Sequence, residues 1–247
     1  MSRQRIPPRN EHYVDPVDRT RVRVRFAKRG DLRLISHRDL VRAFERLFRR
    51  VGVRLAMSQG FHPRPLMTFP DALSLGISAE DEVMDITLAE PIGPDAFRDR
   101  LAQSCPPGLV ILHVQVLGDQ DRKAKIEKVI YEVELPGEHV QANLDELREA
   151  IERLQNTDSL TVTRKEKEIE LDLRESLEGL WIDDSAANQT KSDLAANESP
   201  DTTRLMMTIR MVQQSQLQPR DILAALGLRH LLTEGALLTR TKVELYP

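Results

Sequence analysis

The densest chemistry in the chain lies in Gly60-Phe61-His62-Pro63-Arg64-Pro65, with Ser36-His37-Arg38 as a smaller counterpart upstream. Two prolines remove backbone donors and restrict the residues before them, so the six residues read as an ordered loop or extended edge rather than helix. Gly60 permits a tight backbone there, and the stiffened loop holds Arg64 in few rotamers. A guanidinium positioned in that way recognises phosphate or carboxylate through two parallel hydrogen bonds. The same residues also fit a rigid turn in which Arg64 pairs with a structural acid such as Asp85. An unperturbed imidazole titrates near neutrality, which makes His37 and His62 the weak candidates for acid and base. His37 falls at the first helical position behind its cap, where bonding to loop backbone is commoner than catalysis. The two histidines stand 25 positions apart with no HxH or HxxxH beside them, so the chain offers no metal motif.

The second kind of chemistry is charge. Residues 1–65 hold 17 Lys and Arg against 6 Asp and Glu, which leaves 19 against 33 for the rest. Such asymmetry points to polyanion binding by the basic part, or to attraction between the two parts. Arg21, Arg23 and Arg25 alternate with Val22, Val24 and Phe26, and Lys28 follows. Arg38, Arg42, Arg46, Arg49 and Arg50 form a stripe with Glu45 among them. Charge runs of this kind are usually solvated surface, but acidic partners close in sequence are scarce, which favours a patch that tracks phosphates. Aromatic residues make up 4% of the chain, and Phe61 is the one candidate stacking platform, so recognition of single strands by stacking has little support.

The elements that must position these residues follow from periodicity. Arg21–Phe26 alternates as a half-buried strand. Ser36 stands three residues before Asp39 at a helix start, Leu40, Val41, Phe44, Leu47, Phe48 and Val51 recur at helical spacing, and Gly52 stops the helix. A short strand at Arg54–Met57, strands at Leu66–Phe69, Val83–Leu88 and Leu109–Leu117, and a helix at Pro94–Ser104 complete a β, α, β, β, α, β order, the ferredoxin-like unit. The second half repeats it: strands Val129–Leu135, Leu160–Leu173, Leu205–Val212 and Leu237–Tyr246, and helices Leu144–Leu154 and Pro219–Leu226. The expectation is an α+β chain of two tandem ferredoxin-like (βαββαβ) units: a flexible tail at 1–20, an N-terminal unit at 21–120, and a C-terminal unit at 121–247 interrupted by a flexible, polar, disordered insertion at 183–203.

At 247 residues the chain suits two cores. No apolar run approaches the roughly 18 residues of a membrane span, and no apolar stretch follows the charged start. The single cysteine, Cys105, allows neither an intramolecular disulfide nor a thiolate cluster. A cytoplasmic protein with no membrane partner and no cofactor of its own is the expectation.

Residues 21–118 resemble the radical SAM-linked protein family. The resemblance rests on Arg25-Phe26-Ala27-Lys28, Leu32-Arg33-Leu34-Ile35-Ser36-His37-Arg38-Asp39-Leu40, Arg49-Arg50, Ser58-Gln59-Gly60-Phe61-His62-Pro63-Arg64-Pro65, Leu73-Ser74-Leu75-Gly76-Ile77 and the strand from Glu82 to Leu88 with Asp85. His62 stands where asparagine is usual in that family. The resemblance implies a partner, a B12-binding radical SAM protein with a three-cysteine iron–sulfur motif, and one cysteine cannot supply that cluster here. Three functions follow as expectations. The first is an accessory subunit that binds or presents RNA through its basic face. The second is an RNA-processing or RNA-modifying enzyme using His37 and Arg64. The third is a protein-only scaffold that docks the radical SAM partner.

Overall fold

The alternation of Arg with Val and Phe produces a strand, β1 (Thr20–Lys28), which buries Val22, Val24 and Phe26 and turns Arg21, Arg23 and Arg25 to its other face. It belongs to a computed structural model that describes residues 19–136, 143–183, 203–212 and 217–247. The tail expected at 1–20 and the insertion expected at 183–203 lie, apart from their boundary residues, outside the described residues.

A short 3-10 turn leads from β1 into α1 (His37–Arg50). Ser36 caps the helix by accepting the Asp39 backbone N–H. Leu40, Phe44, Leu47 and Phe48 form its buried stripe, and the Phe44 ring stands edge-on to Phe26 at 4.9 Å. Gly52 takes φ of +69°, and Val53 N–H reaches back to the Phe48 carbonyl, which closes the helix with a Schellman-type cap. Then follow β2 (Met67–Thr68), β3 (Ser78–Leu88), α2 (Pro94–Ala102) and β4 (Leu109–Leu117). Arg54–Met57, expected as a short strand, gives only isolated bridges, Leu55 to Leu88 and Met57 to Pro65.

The second half holds β5 (Ile126–Leu135), α3 (Leu144–Gln155), β6 (Ser159–Arg164), β7 (Lys167–Asp172), the one-turn α4 (Leu173–Ser176), β8 (Leu177–Asp183), β9 (Thr203–Arg210), α5 (Pro219–Ala225) and β10 (Leu238–Leu245). Leu160–Leu173 was expected as one strand. It is a hairpin turned at Lys165 and Glu166, whose φ values are 49° and 64°. Two consecutive positive-φ residues match the twist of a tight hairpin, but Lys-Glu lacks the Asn or Gly that marks such a turn. On the side of β9 away from β5 the pairing strand is instead β8, which the expected order omitted.

In both halves the last strand lies beside the first and the first beside the third. The order runs β4-β1-β3 with β2 on the far side of β3, and β10-β5-β9-β8. One eight-stranded mixed sheet contains both sets, because β10 pairs in parallel with β3 through Thr239 and Arg240 opposite Ser78 and Ala79. Two hydrophobic clusters pack on the sheet. One joins β1, α1, β3, α2 and β4 around Phe26, Phe44, Phe48 and Phe97; the other surrounds β5, α3, β9 and α5 and takes Leu73, Ile77, Ala79 and Val83 from the first half.

Candidate functional site

The buried stripe of α1 leaves its other side to solvent, and Arg38, Arg42, Arg46, Arg49 and Arg50 are all exposed there. Arg42 meets Asp39 at 3.3 Å in a solvent-exposed pair, and Arg50 donates to the Ser104 carbonyl at 3.1 Å. Arg38, Arg46 and Arg49 form no salt bridge among the described residues, although, with the Ser36 hydroxyl and Arg42, Arg46 helps to hold the Asp39 carboxyl below its ordinary value. An exposed pair like Arg42 with Asp39 contributes little and exchanges easily, so this face keeps most of its positive charge available.

The 58–64 loop follows α1 in the chain, and its flanking residues Met57 and Pro65 line a groove with Phe48 and Arg49 of the helix. Ser58 and Arg64 close it twice, Ser58 N–H to the Arg64 carbonyl at 2.8 Å and Arg64 N–H to Ser58 Oγ at 3.0 Å. Gly60 has φ of +127°, a conformation that a side chain would strain. Gln59 to Arg64 are exposed, and the Phe61 ring is fully so. Arg64 makes no ion pair among the described residues, and Asp85, its expected structural partner, is occupied elsewhere. Between α1 and the base of the loop runs an open groove of about 400 Å3, lined by Phe48, Val53, Leu55, Met57 and Pro65, with Glu45, Arg49 and the Glu90-paired Arg54 at its side. Helix cations, loop base and groove therefore form one contiguous surface.

The basic residues of β1 are placed differently. Arg23 grips Asp85 on β3 through two bonds, at 2.8 and 3.1 Å, and also donates to the Arg122 carbonyl. The register sets Arg23 directly opposite Asp85. Arg25 meets Asp81 at 2.6 Å and the Val243 carbonyl at 3.1 Å, while Arg21 donates to the Asp121 carbonyl at 2.9 Å. These contacts reach the linker after β4 and the last strand, so the β1 arginines fasten the halves together. Lys28 is buried, with Nζ on the carbonyls of Arg33 and Ile35. Burial pulls its pKa below the ordinary lysine range, against the opposing pull of Glu82.

A buried network continues from there. Arg240 on β10, 3% exposed, binds Glu82 at 3.0 Å, Asp71 at 2.6 Å and the Tyr131 hydroxyl at 2.7 and 3.0 Å. Burial pushes the Glu82 carboxyl up to about 7, although Arg240 draws it down. Burial works against the Arg240 charge too, but Glu82, Tyr131 and Asp71 outweigh it and hold the guanidinium above its ordinary value. His37 adjoins this network. Its ring stands edge-on to Phe69 at 5.0 Å, and burial lowers its pKa while Asp71 raises and Lys28 lowers it. His62 lies on the exposed loop. Asp71, Tyr131 and Arg240 were not singled out from the sequence. The available signal was the acid-rich start of β3, Glu80-Asp81-Glu82, inside a half-buried strand, which requires buried cations as partners.

Burial pushes the Cys105 thiol up to about 11, which keeps it protonated and unreactive. Among the described residues no group of three or more His, Cys, Asp or Glu could hold a metal ion, and no helix is long and apolar enough to cross a membrane. The profile of a family described as "Uncharacterized protein conserved in bacteria (DUF2344)" matches residues 21–219. No curated protein matches the chain.

Proposed function

The chain belongs to this family of uncharacterised bacterial proteins, and from that premise we propose that it is a cytoplasmic binding module for RNA that serves as an accessory subunit of a radical SAM enzyme. One observation carries the RNA part. Five arginines share the exposed face of α1, three of them in no salt bridge among the described residues, and Arg49 lines a groove with Met57 and Pro65, which flank the loop that exposes Phe61 and Arg64. Cations without internal partners are the groups that exchange counterions for phosphates. The radical SAM partner rests on the motif resemblance, and the catalytic cluster would belong to that partner. The strand orders of the two halves support reading each as a ferredoxin-like unit, the second with the β6–β7 hairpin inserted. In this reading Arg21, Arg23, Arg25 and Lys28 support the surface from within, while Arg38, Arg42, Arg46, Arg49, Arg50, Phe61 and Arg64 face the ligand.

Fluorescent cellular RNA titrated against the purified protein across a salt series tests the proposal. Neutralising about three single-strand phosphates predicts roughly twentyfold weaker binding at 200 mM than at 50 mM salt. Affinity that ignores salt, or no affinity, contradicts it. A fully exposed Phe61 and a separate apolar groove on the same half favour one second reading, a scaffold that docks the radical SAM partner directly. A complex that survives nuclease but dissociates with Arg42→Glu and Arg46→Glu supports that scaffold. An enzyme using His37 and Arg64 has less support, because His37 packs against Phe69 and no nucleophile is paired with it among the described residues.

A further inference from the structure

A cavity of about 530 Å3 opens where the two halves of the sheet meet, and it shares no lining residue with the groove beside α1. Segment 70–77 of the first half forms part of its wall, with residues 124–131, 210–212 and 217–220 and Arg240. Arg240 and Tyr131 line it as well, bonded to each other, with Arg240 held in turn by Glu82 and Asp71. The volume falls within the roughly 300–1,000 Å3 typical of small-molecule sites.

Its lining charge is unbalanced. Lys125, Arg210, Arg220 and Arg240 line the cavity against a single acid, Asp71, and that acid is already bound to Arg240. Arg210 is neutralised by Glu178 at 2.7 Å. Among the described residues Arg220 donates only to the Leu75 carbonyl, at 2.9 Å, and Lys125 Nζ stands 4.7 Å from the centroid of the Tyr246 ring. Neither has a carboxylate partner among the described residues. Two uncompensated cations in a concave, partly apolar site concentrate a positive potential that attracts an anion. Ile77, Ile126, Val129 and Leu217 line the same cavity and offer an apolar body a place to lie.

We propose that this cavity binds a small organic anion, a phosphate or carboxylate carried on an apolar body, with Lys125 and Arg220 contacting the anionic group. The site is independent of the RNA surface, since a protein that binds no RNA would still hold it.

Calorimetry with phenyl phosphate, benzoate, inorganic phosphate and neutral benzyl alcohol tests the proposal. The expected result is saturable binding of phenyl phosphate or benzoate at millimolar concentration or tighter, and at least tenfold preference over both inorganic phosphate and benzyl alcohol. Affinity should fall at least tenfold in the Lys125→Ala, Arg220→Ala double variant and stay within twofold in the Arg42→Glu, Arg46→Glu variant. Should the first variant melt early, Lys125→Ala alone should still lose at least threefold. No binding of either aromatic anion, binding indifferent to Lys125 and Arg220, or binding lost with the α1 substitutions would each overturn the proposal.

Discussion

β1 and α1 carry arginines on one side each, only a dozen residues apart along the chain, and the two sets meet different surroundings. Arg23 and Arg25 on β1 are held by Asp85 and Asp81 and by carbonyls of the linker and last strand, whereas Arg38, Arg46 and Arg49 on α1 face solvent and form no salt bridge among the described residues. The cause is the element, not the residue type. β1 lies inside the sheet with β3 and β4 on either side, about 5 Å away, so charge on its open face sits against cross-strand neighbours and must be matched by them. The outer face of a helix has no such neighbours. Equal basicity thus supports cohesion in one place and leaves binding capacity in the other.

The sharpest way to break this distinction is to remove a cation from the seam. Arg240→Ala leaves Glu82 and Asp71 without their buried partner and should cost about 3–5 kcal/mol in urea unfolding. A cost below about 1 kcal/mol would mean the seam does not depend on its ion network.

Acid titration probes the same network next. Glu82 titrates near 4.5 when unfolded and is pushed up to about 7 by burial. Its contribution is therefore fully present below about pH 4.5, is lost progressively as the pH rises to about 7, and then stays constant, a change of about 3 kcal/mol. Unfolding midpoints measured across that range should fall with rising pH from this group, and Glu82→Gln should flatten the dependence. An unaltered slope in the variant would place the titration elsewhere.

On β1 the effect is smaller. Arg23→Ala loses two bonds to a partly buried carboxylate and should cost about 2 kcal/mol, with no loss of RNA affinity in the protein that remains folded. On α1 the order reverses. Arg46→Ala should change stability by less than about 0.5 kcal/mol, yet weaken RNA binding at low salt. Thermal melts and binding curves on the same preparations check both.

How much of this was legible varies with the range of the interaction. α1 was readable because its cap, its apolar stripe and its Gly52 stop are all local. The 160–173 hairpin was not, since Lys165 and Glu166 adopt positive φ without the residue types that announce it. Once those residues are taken as one strand, β8 loses its place in the expected order. The basic run at 21–25 was recognised, but its fate was set by register: Arg23 meets an acid 62 positions away, and Arg64, the cation first matched with Asp85, stays exposed. The cavity at the seam draws its walls from five separated stretches, and no short motif marks such a convergence.

The most direct test of the account measures melting temperature and RNA affinity together for Arg23→Ala and for Arg42→Glu, Arg46→Glu. The account predicts a crossed result: Arg23→Ala melts several degrees lower and binds RNA as the unaltered protein does, while the α1 variant melts within a degree or so and loses at least tenfold in affinity at low salt. If the α1 variant binds RNA unchanged, or Arg23→Ala loses affinity without losing stability, the division of labour between the two arginine sets is wrong.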